Sequence, residues 1–396
     1  MKKSNFSHWF KVGIVSLSLM SVVISCKKNI EPGSSGNEQD ELLTHKKNDN
    51  KKVGHFNQVN LVANVTGYGA AHIDPTLVNG WGLAFSPTGI GWVSSQGGHV
   101  SDVYNAEGVT VLGPVHIPNP ALPEGGNPTG VVFNGSATDF MIPGGPARFI
   151  FVGVDGVISA WNASQGTHAF RKFAVPLSAY TGLTLAMNGT NNLLYAANFR
   201  AGRIDVWDGN WNPVMLSFHD GRIPTGYSPF NIQNIGGNLF VTYAKVAADG
   251  RSEAGDGKGC VDIYNPNGML LKRFASRETL NAPWGLTMAN RNFFKNEMRE
   301  MDDDDDHHHG KHDENFILVG NFGNGRINVF RTDGKFVGQL RANKKILEIE
   351  GLWAIVFPPA TSTIDPNRLY FAAGPEDETH GLFGYIIDDK DHDDQD

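Results

Sequence analysis

Two cysteines in 396 residues leave no disulfide framework to hold this chain together. Charged residues are scarce at 19%, which excludes a coiled coil or a charge-rich helical array. Motifs that announce familiar chemistry are absent too: there is no nucleophile elbow, HExxH, phosphate-binding loop or CxxC pair, and no carboxylate pair at a telling spacing. The formal net charge of −8 argues against a nucleic-acid partner. What the chain has instead is 47 glycines, 24 phenylalanines and 40% hydrophobic residues. Glycine is well above the ~7% usual for globular chains, so a sizeable core built from many short strands and tight turns is expected.

The acidity is local. Residues 297–314 carry −7 and residues 388–396 carry −5, so the rest of the chain is close to neutral. At the other end, Lys2, Lys3 and Lys11 precede an apolar stretch at residues 12–25. That stretch is too short to cross a bilayer core of roughly 30 Å, and residues 1–25 read as a secretory signal. The sequence Val23-Ile24-Ser25-Cys26 resembles a bacterial lipobox, with an incidental cysteine as the alternative. The resemblance implies a lipid on Cys26 and a chain anchored in the cell envelope, with Lys27 resembling outer-membrane sorting. Residues 26–56 are polar and aperiodic and read as a tether, and Cys260 would remain as a free thiol.

From residue 57 to residue 387 the dominant feature is self-similarity. A short lead-in to an apolar run recurs six times, anchored on Gly82, Gly130, Gly182, Asn231, Gly285 and Ala354, at spacings of 48, 52, 49, 54 and 69. The last interval contains the run from Asp302 to His309. Each anchor is followed by a β-rich run and then by an alternating segment, as in Gly202-Arg203-Ile204-Asp205-Val206-Trp207 and Gly325-Arg326-Ile327-Asn328-Val329-Phe330. Period two means strands. Three or four strands per ~50 residues, repeated six times, predict an all-β fold, a six-bladed β-propeller. The last repeat lacks a fourth strand, and the segment 58–65 has no repeat of its own. It is expected to pair with the sixth blade in a three-plus-one ring closure.

The turn strands at Gly202-Arg203-Ile204 and Gly325-Arg326-Ile327 resemble NHL-type six-bladed propellers. Gly80-Trp81-Gly82-Leu83-Ala84, Pro229-Phe230-Asn231-Ile232-Gln233 and Gly320-Asn321-Phe322-Gly323 resemble more closely a bacterial family of secreted proteins, some with PEP-CTERM sorting tails. The resemblance implies architecture and no activity.

The fold directs attention to one mouth of the ring. The turns after the second strands place Ser95, Val154, Asn198, Tyr243, Asn321 and Ala373 at equivalent positions, with Asp155 beside Val154. Asn198, Asn321 and Asp155 offer oxygen ligands suited to calcium, which gluconolactonase-like propellers hold in the channel; asparagine is equally a turn former. His72 and Asp74 precede the first blade and His380 lies in the last, so ring closure could bring imidazole and carboxylate together for zinc or for base catalysis, as in some lyases of this fold. Asp304, Asp305, His307, His308, His309 and His312 form a ligand-rich run in a blade-five loop, where a homopolymeric segment gives weak, plural metal binding or simply a solvated face. Trp81, Trp284 and Trp353 recur at one repeat position, as an aromatic rim for a sugar or peptide or as packing between blades. The expected protein is a lipid-anchored, monomeric binding or interaction module for a protein, peptide or carbohydrate. The alternative is a metal-dependent hydrolase or lyase with calcium or zinc in the channel.

Overall fold

The computed structural model describes residues 53–294 and 315–389. Cys26, and the run containing Asp304, Asp305, His307, His308, His309 and His312, lie outside the described residues. Within them the chain is built from β-strands and two short 3-10 turns, Ala163–Gln165 and Arg291–Phe294.

Six antiparallel sheets follow one another along the chain. Blade 1 comprises Gly80–Phe85, Gly91–Ser95, Val100–Tyr104 and Thr110–His116. Blade 2 comprises Pro128–Phe133, Phe149–Gly153, Val157–Trp161 and Phe170–Ala174. Blade 3 has three strands, Tyr180–Asn188, Asn191–Asn198 and Arg203–Trp207, and its outer place is taken by a single bridge between Trp207 and Pro213. Blade 4 is Tyr227–Ile235, Asn238–Lys245, Gly259–Tyr264 and Leu270–Ser276, and blade 5 is Pro283–Ala289, Phe316–Asn321, Ile327–Arg331 and Phe336–Gln339. Blade 6 takes Leu352–Val356, Leu369–Ala373 and Leu382–Asp388 from the end of the chain and Phe56–Ala63 from its beginning. The N-terminal strand pairs antiparallel with the last, Phe56 opposite Asp388 and Ala63 opposite Leu382. The six-bladed propeller and its three-plus-one closure are therefore as the repeats predict. Val53 and Phe56, at the end of the tether-like segment, are buried in this blade's core.

Local chemistry explains the hairpins. The turns between third and fourth strands in blades 1 and 4 begin with Asn105 and Asn265, whose side chains accept from backbone amides two and four residues on. Gly108 and Gly268 close these turns at φ 79° and 78°, a left-handed conformation that a Cβ disfavours. The anchors ring the channel so closely that backbones touch. A Cβ on Gly82 would meet the Thr129 carbonyl oxygen at 2.3 Å, and one on Gly182 would meet Asn231 Oδ1 at 2.0 Å.

The core is divided among the seams between blades. Trp92, Phe149 and Phe151 fill the seam of blades 1 and 2, and Phe240, Phe274 and Phe330 that of blades 4 and 5. Because each middle strand has a blade on both sides, its polar positions are buried as well: Asp102, Ser159, Asp262 and Asn328 are all essentially inaccessible. The sequence alternation marks strands, but its polar face looks into the neighbouring blade and not into water.

Candidate functional site: the channel mouth

The inner strands begin at one face of the ring, and there the channel opens into a cavity of about 990 Å³ lined by residues from all six blades. Its aromatic part is a stack. Trp353 lies against Trp81 at 3.6 Å on one side and Phe322 at 3.8 Å on the other, both near-parallel. Trp284 meets Trp353 edge-on and donates its Nε1 hydrogen to the Thr181 carbonyl. These rings plug the channel. At the level of the anchor glycines only about 30 Å³ of space remains, enough for about one water.

A polar belt surrounds the plug. Trp353 Nε1 donates to Asn79 Oδ1 at 2.9 Å, and Asn79 Nδ2 donates to Glu378 Oε2 at 2.8 Å and to Gln96 Oε1 at 3.1 Å. Gln96 passes the chain to Asn127, whose backbone amide donates to Asp155 Oδ2 at 2.9 Å. Arg251, from the long blade 4 loop 246–258, reaches past blade 5 to Glu378 Oε1 at 2.6 Å and so crosses the mouth. Glu376, Asp377 and Glu378 all sit at positive φ, between 53° and 68°, a strained run that presents the last two to the cavity. Burial pushes the Glu378 carboxyl above its ordinary range, while Arg251 and Asn79 oppose the shift. Asp249, Glu348, Glu350, Asp377 and Glu378 line the mouth with Arg251 as the single cation among them, so the mouth is acidic although the ring as a whole is nearly neutral.

Two atoms of the lining have no partner. Trp81 Nε1 and Thr181 Oγ1 are buried and accept or donate no hydrogen bond. Such orphans cost about 1–3 kcal/mol each.

The residues singled out from the sequence sit around this mouth or at the edge of the ring. Asn198 is fully buried and binds Ser178, Asp205 and the backbone amide of Ala201. Asn321 is also buried, donating to the Thr279 carbonyl and accepting from the Asn281 amide. Both amides brace turns, and it is the next residue in each case, Phe199 or Phe322, that lines the cavity. Asp155 belongs to the polar belt. His72 shares a hydrogen bond with the Glu107 carbonyl, Asp74 accepts from Thr76 and Tyr104, and His380 shares a hydrogen bond with Asn64 and lies 3.5 Å from Glu376. No recorded hydrogen bond or ion pair joins His72 or Asp74 to His380 among the described residues. Among the described residues, no three His, Cys, Asp or Glu ligand atoms converge at the mouth. The one group among the described residues whose three His, Cys, Asp or Glu ligand atoms lie within 4.8 Å of one another is His116, Glu124 and His168, and it stands away from the mouth. Cys260 is buried and its thiol is pushed up to about 12 by burial, which makes it inert.

The belt was present in the sequence as a signal that repeat comparison offers: Asn79, Asn127 and Asn281 each stand three or four residues ahead of a ring anchor. The third mirrors the others, Asn281 Oδ1 accepting from the Gly255 amide of the crossing loop.

No family model matches the chain. The uncharacterised protein L690 of Acanthamoeba polyphaga mimivirus is 31% identical over 340 residues, covering 81% of this chain and 83% of that protein. The uncharacterised protein R648 of the same virus is 29% identical over 348 residues, covering 83% and 80%. The expected membership of a bacterial secreted family is thereby corrected, since these relatives are viral. The glycine-arginine-isoleucine turns that resemble NHL propellers follow from blade geometry: Gly202 and Gly325 stand at φ 68° and 69°, as the turn demands of any lineage. Solved structures of similar outline include a streptogramin B lyase, 13% identical with a TM-score of 0.47 over 85% of this chain and 98% of that one. Regucalcin of Agrobacterium tumefaciens, a calcium-binding protein, is 12% identical with a TM-score of 0.47 over 86% and 97%.

Proposed function

The chain belongs to the same family as the mimivirus protein L690, and on that premise we propose that it is a binding module whose channel mouth takes an uncharged, hydroxyl-rich ligand, a carbohydrate. The observation that carries this reading is the coincidence of a cavity of about 990 Å³ with two buried, unpartnered polar atoms in its lining. The indole N–H of Trp81 can only donate and the hydroxyl of Thr181 can do either, so each can pair with a hydroxyl of the ligand. Aromatic rings in the lining suit the apolar face of a sugar ring, and the carboxylates of Glu350 and Asp377 suit its hydroxyl donors. The surplus of carboxylates disfavours an anionic ligand. Titrating mono- and oligosaccharides into the protein should quench tryptophan fluorescence saturably, and Thr181→Val should weaken the binding about fivefold, the worth of one hydrogen bond. Saturable binding of no saccharide, or binding untouched by Thr181→Val and Glu350→Gln, would overturn the reading.

The proposal includes attachment to a membrane through Cys26. Fractionation of cells expressing Cys26→Ala should find the protein in the soluble fraction, and unchanged partitioning would remove the anchor.

A further inference from the structure

We infer that the outer edge of the ring carries a transition-metal site, of zinc type, formed by His116, Glu124 and His168 at the seam of blades 1 and 2. The three come from separate segments. His116 ends the outermost strand of blade 1, Glu124 lies in the connection between the blades, and His168 precedes the outermost strand of blade 2. One ligand atom from each lies within 4.8 Å of the other two.

The framework beneath them is fixed by backbone hydrogen bonds. His116 N donates to the Thr167 carbonyl at 2.8 Å and Ala169 N to the His116 carbonyl at 2.9 Å, so the two histidines stand side by side on neighbouring blades. Their rings are 5.0 Å apart and inclined by 29°. The connection bearing Glu124 is closed by the bridge between Pro118 and Gly125 and by Gly126 N donating to the Ile117 carbonyl. Arg171, from the outer strand of blade 2, clamps it further by donating to the Asn119 and Leu122 carbonyls. The ligands are thus carried on ordered backbone, while Glu124 and His168 remain exposed and able to swing inward.

Donor type and number decide the ion. Two imidazoles and one carboxylate match the three-ligand zinc site that keeps a fourth position for water, whereas calcium asks for six to eight oxygens. Ligand atoms around tetrahedral zinc lie about 3.4 Å apart, so closure from 4.8 Å asks only for rotamer changes of the exposed pair. Thr167 Oγ1, 3.0 Å from His168 Nδ1, holds that ring and leaves its Nε2 for the metal, an outer-shell contact of the kind that orients ligating histidines. Bound zinc would join blades 1 and 2 at their rim.

Zinc competition against a chromogenic chelator, on the full-length protein stripped of metal, tests the site. The wild type should hold one more tight equivalent than His168→Ala, and Glu124→Gln should weaken that equivalent at least about tenfold. Both altered side chains are exposed, so folding is retained. Zinc that wild type and His168→Ala hold alike lies elsewhere in the chain and does not count toward the site. Zinc should also raise the melting temperature of the wild type and leave that of His168→Ala unmoved. Equal stoichiometry and an equal thermal response in wild type, His168→Ala and Glu124→Gln would overturn the site.

Discussion

Replacing Asp102 by asparagine should remove a large part of the protein's sensitivity to pH. Asp102 lies in the middle of blade 1, 1% exposed. Its Oδ1 stands 2.8 Å from Thr76 Oγ1, which stands 2.6 Å from Asp74 Oδ1, and its Oδ2 has no partner. Thr76 has one hydroxyl hydrogen and cannot donate to both carboxylates. A proton on Asp102 completes the chain, with Asp102 donating to Thr76 and Thr76 to an ionised Asp74 that Tyr104 also holds at 2.8 Å. Burial first, and the charge of Asp74 second, push the Asp102 carboxyl from 3.8 up to about 8. The folded protein thus binds this proton more tightly than the unfolded chain does. The stability it contributes is complete below pH 3.8 and is lost as pH rises toward 8. By pH 7 the loss amounts to about 4 kcal/mol at about 1.4 kcal/mol per unit. In Asp102→Asn the amide donates to Thr76 at every pH. Comparing urea unfolding of wild type and variant between pH 4.5 and 8 removes the titrations of groups distant from this chain of hydrogen bonds. The stability of the variant relative to wild type should climb by about 1.4 kcal/mol per unit between pH 5 and 7. Parallel curves would refute the protonated Asp102, whatever their offset.

The mouth and the ring give further expectations. Thr181→Val deletes a buried hydroxyl without a partner, so thermal unfolding should show a gain of about 1 kcal/mol even as saccharide affinity falls. Gly82→Ala sets a Cβ against the Thr129 carbonyl oxygen and should cost about 1–3 kcal/mol or more by denaturant titration, whereas Gly113→Ala, with nothing within 4 Å, should cost far less. Arg251→Ala breaks an ion pair that is exposed on the arginine side and largely buried on the Glu378 side, so stability should fall by about 1 kcal/mol, while stopped-flow mixing should show faster ligand entry once the crossing loop is released.

The architecture was legible because it is written in periodicity. The sequence alternates over Arg203–Trp207 and over Ile327–Arg331, both observed as strands, and the unmatched segment after Phe56 supplies the missing strand of blade 6. A repeat must offer each neighbour the same face, so its pattern survives divergence of the residues that fill it. The chemistry was legible only in outline. Repeat equivalence led to the turn after the second strand, yet Asn198 and Asn321 are spent on bracing that turn and the residue that lines the cavity is one further on. A fixed hydrogen-bonding role recurs between blades for the same reason as the strands do. Among the residues that face the channel the tryptophans and phenylalanines do recur, whereas Arg251 and the carboxylates of Asp377 and Glu378 have no counterpart in other blades, because the ring needs each only once.

That distinction orders the candidate residues. His116, Glu124 and His168 come together through a contact between blades at a spacing no linear motif encodes, and the sequence alone gave no hint of them. Asn79 stands between the two cases. Its φ of 51° is a turn property legible from its place before Gly80, but its two roles, accepting from Trp353 and donating to Glu378, exist only once blade 6 has closed against blade 1. Aromatic plug and acidic rim therefore meet at a residue held by the ring closure itself. Any loosening of the N-terminal strand from Leu382–Asp388 should reach the channel mouth before it reaches the other blades, because Asn79 N is also tied to the carbonyl of His380, just ahead of Leu382.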